Sequence, residues 1–261
     1  MRLPLSSALA ILAVGGACSA AAPEPAAQPA PAPPTVATRT PRTPAATPPA
    51  AGSTTSRARR DPLARPAGDS AAMYERIEDE ILVELNRART DPRSYAATLD
   101  TLAGWYDGRL FRRPGALVLE TNEGAAAARE AAIAVRRQAP VPRLEWSAGL
   151  TRAARDHVRD RGPGGSMGHK GSDGTLVMQR ANRYGRWNRT ISENIAYGPL
   201  DARGMVAGLI IDDGVPNRGH RVNTFDANVR VAGVACGPHR VYGRMCVIVH
   251  AGEYVEGAAA R

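Results

Sequence analysis

Histidine is scarce in this chain, five residues in 261, and two of the five, His169 and His220, each follow a glycine. Between them lies Ser192-Glu193-Asn194-Ile195-Ala196. Two neutral imidazoles and a carboxylate can ligate a zinc-like ion and leave a coordination position open for water. Without a metal, a carboxylate beside an imidazole holds its tautomer, as general acid–base work requires. The same residues can equally form a hydrogen-bonded network that only fixes loops. Bare spacing does not choose among these, because the three positions lie far apart and no HExxH-type ligand pair occurs. Nucleophiles are poor. Ser166 and Ser172 flank His169 in the glycine-rich stretch from Gly162 to Gly174, which lacks a nucleophile elbow. His157 falls on an apolar stripe with Leu150, Ala153, Ala154 and Val158 and reads as a core histidine.

The elements that must position these residues begin with helices. Ile77, Ile81, Leu85 and Ala88 recur at helical spacing, and Asp91-Pro92 supplies a cap and a first-turn proline for a second helix carrying Tyr95, Ala96, Leu99 and Leu102. The alanine-rich run from about Asn122 to Gln138 predicts a third. The His157 stripe gives a fourth, and a short helix ending near Tyr184 follows the glycine-rich loop. Thr190 to Tyr197 reads as a strand and Asp201 to Asp212 as a helix. Val229 to Cys236 and Met245 to His250 read as an antiparallel hairpin. Helices early, strands late and no βαβ rhythm predict an α+β layer fold. Cys236 and Cys246 flank the hairpin turn. They can face each other as a disulfide, and buried free thiols are the alternative.

Five words then occur in a fixed order: Leu85-Asn86-Arg87-Ala88-Arg89 with Asp91-Pro92-Arg93-Ser94-Tyr95, Gly168-His169, Glu193-Asn194-Ile195-Ala196, Gly219-His220-Arg221-Val222-Asn223, and Gly233-Val234-Ala235-Cys236. On these words the chain resembles the CAP superfamily (SCP/PR-1-like, bacterial type) from about Ile77 to Tyr254. The resemblance implies a three-layer α-β-α sandwich with a mainly antiparallel central sheet, and a cleft holding a tetrad of two histidines and two acids. By position, His169 is similar to the first histidine, Glu193 to the first acid and His220 to the second histidine. The fourth member departs from the family. Many members place a glutamate in the helix before the second histidine, where this chain reads Ile210-Ile211-Asp212-Asp213-Gly214. Asp213 is assigned there, with Asp212 as the alternative. The family's aromatic in this helix is also missing. Asn194, Arg221 and Asn223 are secondary candidates. Arg221 and Asn223 suit an anionic ligand, or Arg221 pairs with a nearby acid.

The resemblance further implies a monomeric module that binds a lipid, sterol, envelope component or protein partner in the cleft, with no established catalysis and no required cofactor. The alternatives are a metal-dependent hydrolase using His169, Glu193 and His220, with a zinc-like ion on the two histidines, and a non-catalytic envelope interaction module.

Residues 1–17 read as a secretory leader, with Arg2, an apolar run from Leu9 to Val14 and small residues before Cys18. The apolar run is too short to cross a bilayer, which takes about 20 residues. Cys18 resembles a lipobox cysteine, although Gly15 stands where a branched aliphatic is usual, and ordinary cleavage is the alternative. Residues 18–69 read as a Pro/Ala/Thr-rich tether, and the domain is expected over 70–261. The tether holds 12 of the 21 prolines between Ser19 and Gly68, which leaves too little apolar surface to offset ordering entropy. The formal charge of +9 is concentrated at the same end. Residues 1–68 carry +5, and residues 69–261 carry only +4, with arginines interspersed among acids. Nucleic-acid binding is therefore not expected. The expected location is a periplasmic or cell-surface lipoprotein, or a secreted protein. Mass spectrometry of the mature amino terminus should find a lipid-modified Cys18; an unmodified cysteine or cleavage elsewhere rejects the anchor.

Overall fold

The computed structural model describes residues 67–115 and 118–257, with side chains from Ser70 onward. The leader, Cys18 and nearly all of the expected tether lie outside the described residues. Helix α1 (Ala67–Thr90) begins three residues inside the stretch expected as tether. Helix α2 (Pro92–Ala103) starts on Asp91, whose carboxylate accepts from Ser94 N at 3.1 Å. Three two-residue strands follow, β1 (Tyr106–Asp107), β2 (Leu110–Phe111) and β3 (Leu119–Glu120), forming a small antiparallel sheet. Strands this short carry no periodic signal, and the sequence did not predict them.

Helix α3 (Ala125–Arg137), strand β4 (Glu145–Trp146) and helix α4 (Ala148–Arg161) lead to α5 (Val177–Asn182) and β5 (Gly185–Tyr197). Strand β5 starts five residues earlier than expected. Helix α6 (Ala202–Ile211) is capped by Asp201, which accepts from Gly204 N at 2.8 Å. The word from Gly219 to Asn223, for which the sequence predicts no element, lies in a short helix, α7 (Gly219–Phe225). Strands β6 (Val231–His239) and β7 (Gly243–Glu256) form the final hairpin.

The main sheet has the order β4-β6-β7-β5, parallel only between β4 and β6. Its two faces bury separate clusters. Ala232, Val234, Cys236, Cys246 and Ile248 pack with α1, α2, α3, α6 and α7. Ala235, Met245, Val247, Val249 and Ala251 pack with α4 and α5. The α+β, three-layer reading therefore stands, with a mainly antiparallel sheet in the middle layer. Helix α4 lies tight on β6 because Gly233 faces it: a Cβ there would come within 2.1 Å of Thr151 N.

Cys236 and Cys246 are register partners on β6 and β7 and form a disulfide. It ties the hairpin together near its turn. Two further polar contacts close the α1 face. Asn86 pairs reciprocally with the Leu144 backbone, donating at 3.0 Å and accepting at 2.7 Å. The buried Arg89 guanidinium donates to the carbonyls of Pro142, Thr224, Asp226 and Val229.

His250 on β7 is fully buried on the α1 face, and neither ring nitrogen has a partner. Burial, with the Arg89 charge adding to it, pushes its pKa down from 6.5 to about 3. The unfolded chain thus takes up a proton near pH 6.5 that the folded chain refuses until about pH 3. The corresponding stability is present above pH 6.5 and is lost as pH falls toward 3, by about 4–5 kcal/mol at 1.36 kcal/mol per unit. His250→Leu should flatten the pH dependence of chemical denaturation across that window relative to the native chain.

Candidate functional site

Strand β5 is the end strand of the main sheet, and its neighbouring residues Glu193 and Asn194 point to opposite faces. Glu193 points to the α4–α5 layer. Its Oε1 lies 2.9 Å from His169 Nδ1, and its Oε2 accepts from Arg180 Nη2 at 2.5 Å. Arg180 of α5 also donates through Nη1 to the carbonyls of His169 and Thr175, each at 3.1 Å. Burial alone would raise the Glu193 carboxyl. The His169 hydrogen bond and the Arg180 charge outweigh it and hold the group below its usual range.

Asn194 points to the other layer. Its Nδ2 donates to the His220 carbonyl at 3.0 Å, and its Oδ1 accepts from Asn223 Nδ2 at 2.9 Å. His220, on the first turn of α7, is held by Asp212: Nδ1 to Oδ1 at 2.6 Å, and backbone N–H to Oδ2 at 2.9 Å. Asp212 closes α6 in a left-handed conformation, φ 57°, and is fully buried. The His169 and His220 ring centroids are 6.4 Å apart. His169 and His220, held from opposite faces of the sheet, therefore come together beside β5, an edge strand.

The placement of the fourth acid corrects the sequence reading. Asp213 is not at the histidines. Its carboxylate accepts from Asn122 N, Asn122 Nδ2 and Glu123 N, and so ties the chain before α3 to the end of α6. Asp212 takes the position beside His220, because the left-handed turn at the helix end swings it inward and its neighbour outward. Arg221 is likewise occupied. It forms a two-pronged ion pair with Glu130, at 2.7 and 2.6 Å, and donates to Ile210 O. Asn223 donates through Nδ2 to Asn194 Oδ1. Ser172 is bound to Asp160, and Ser166 offers its carbonyl to His239. Among the described residues, neither serine is hydrogen-bonded to His169 or His220. Sequence reasoning missed Arg180. It lies eleven residues beyond His169 in the short helix Val177–Asn182, where Gln179 and Asn182 are also polar, so nothing local singles it out.

Carboxylates only accept, so each histidine carries a proton on Nδ1, and in the neutral ring each Nε2 is a bare acceptor. Among the described residues neither Nε2 has a hydrogen-bond partner, and neither is a fully buried orphan. Two acceptors are thus left for a ligand. Their spacing tests what it can be. Two imidazoles holding one tetrahedral zinc at about 2.1 Å, with ring centres about 1.1 Å behind the nitrogens, would stand about 5 Å apart. Sharing an atom hydrogen-bonded at about 2.9 Å in the same way, they would stand about 6.5 Å apart. The 6.4 Å separation fits the second case. The donor set also falls short, since no group of three histidine, cysteine, aspartate or glutamate side chains converges among the described residues. As placed, these residues do not fit a directly coordinated zinc-like ion.

The model of the CAP family, described as the cysteine-rich secretory protein family, matches residues 130–249. The matched stretch is a little under half of the chain. The matched segment begins in α3 and ends in β7, so it includes His169, Glu193, Asp212 and His220 and leaves α1 and α2 outside. Among solved structures, an extracellular protein with an SCP domain from Bacillus anthracis is similar at 23% identity, covering 42% of this chain and 34% of its own, with a TM-score of 0.34. An outer surface protein of Borrelia burgdorferi is similar at 18% identity, covering 41% of this chain and 76% of its own, with a TM-score of 0.36. The chain thus spans about a third of the length of the first of these. No curated protein matches it. No helix among the described residues is long and apolar enough to cross a membrane.

The two aspartates separate cleanly by experiment. Asp212→Asn removes a buried charge from His220 and should cost about 2–4 kcal/mol with a change in the His220 ring resonances. Asp213→Asn should cost about 1 kcal/mol and leave those resonances in place. Thermal unfolding and histidine-ring NMR of the two variants check both.

Proposed function

We propose that the CAP domain is an exported ligand-binding module whose cleft captures a hydrogen-bond-donating polar group through His169 and His220. The observation that carries this reading is the pair of unpartnered Nε2 acceptors, each fixed from behind by a buried carboxylate and spaced for one shared hydrogen-bonded atom. The complementary ligand offers hydroxyl or ammonium hydrogens, as the polar end of a sterol, a lipid headgroup or an envelope glycan does. A hydrolytic reading lacks comparable support. Glu193 has both oxygens engaged, Cys236 and Cys246 are bonded to each other, and among the described residues no serine is hydrogen-bonded to His169 or His220. The leader and Cys18 would place the module at the envelope, and the Pro-rich stretch would hold it away from the membrane surface.

Two probes test the proposal on the full chain: a total lipid extract of the producing cells and a solubilised envelope polysaccharide fraction. One of them should be retained by the native protein and released at least tenfold faster from the His169→Ala, His220→Ala double variant. Retention of neither, or equal retention by both proteins, rejects the cleft as the binding site. Zinc alone, titrated by calorimetry, should release no saturable heat. A micromolar site lost in the double variant would replace this reading with a metal one.

A further inference from the structure

The glycine before His169 has no side chain to hold it, yet its backbone is fixed from two elements. Gly168 has φ 96°, in the region that favours glycine. The peptide on its amino side is held by Tyr197 of β5, whose hydroxyl oxygen accepts from Gly168 N at 3.0 Å. The peptide on its carboxyl side is held by His157 of α4, whose Nε2 lies 2.8 Å from Gly168 O. Both rotatable bonds of the glycine are therefore pinned, and with them the direction in which the next residue leaves.

The chemistry of His157 points the same way. A carbonyl only accepts, so His157 Nε2 carries the ring proton and Nδ1 keeps a lone pair. That Nδ1 is buried with no partner. Burial lowers the pKa of the ring, so it stays neutral beside Glu193, Arg180 and His169. An apolar side chain would pack on this stripe without the cost of an orphaned buried nitrogen. Packing alone does not account for an imidazole here; the bond to Gly168 does.

We propose that His157 and Tyr197 are positioning residues that lock Gly168 and thereby hold the His169 ring against Glu193 and opposite His220. The role rests on the cleft reading only in taking His169 as an acting group.

The test reads the His169 ring itself and needs no ligand. In 15N-edited NMR of the full chain, the His169 Nδ1 proton should be protected and shifted downfield by Glu193, with the His220 Nδ1 proton as internal reference. His157→Leu should shift or erase the His169 signal and leave that of His220. His157→Gln, which keeps an N–H donor, should restore it. Tyr197→Phe should weaken it in the same direction, and it decides the matter if the leucine variant does not fold. An unchanged His169 signal in a folded His157→Leu or Tyr197→Phe variant overturns the proposal. Failure of every ligand probe would overturn the cleft reading and leave this result standing.

Discussion

A buried cation holds together the segments on which the placement of His220 depends. The Arg89 guanidinium, at the end of α1, has no carboxylate in hydrogen-bond contact and is satisfied by four backbone carbonyls from the approach to β4, the end of α7 and the turn before β6. Burying a charge is costly unless its donors are met. Here the carbonyls meet them only when α7 and the neighbouring chain segments stand in one relative position. Burial lowers the Arg89 pKa to about 10, which still leaves it charged at neutral pH. The same charge helps to keep His250 neutral.

Around that anchor, alternation along one strand divides the labour of the site. Glu193 and Asn194 are adjacent in sequence, yet one orients His169 and the other holds the backbone of His220 from the opposite face. Such a division works only on an end strand, where side chains from both faces can meet around the free edge. The fourth acid follows a different logic. A helix end can turn a residue inward or outward within one position, and at Asp212 and Asp213 it does both. One aspartate serves His220 while the next ties down the chain ahead of α3.

Much of the fold was legible because its signals are local. The Asp91-Pro92 cap, the stripe through Ile77, Ile81, Leu85 and Ala88, and the cysteines flanking a turn each report on their own element. The site was legible only in part. Gly168-His169 and Gly219-His220 stand out as words, but the choice between Asp212 and Asp213 depends on a left-handed turn that either residue could occupy. Arg180 and the true partner of His157 are fixed by tertiary contact alone. His157 read as core because it is core, and its position on the apolar stripe says nothing about the carbonyl facing its ring. Arg221, expected as an anion binder or an ion-pair partner, found Glu130 on α3, far away in sequence.

The meeting of His169 and His220 beside β5, an edge strand, has a bearing on solubility. An uncovered edge strand offers a row of backbone donors and acceptors to any passing chain, and natural sheets screen such rows with loops or helices. In this domain the loop that carries His169 and the helix that carries His220 come together at that edge. The residues around His169 and His220 therefore also flank a strand that could otherwise template assembly, and a change there bears on colloidal behaviour.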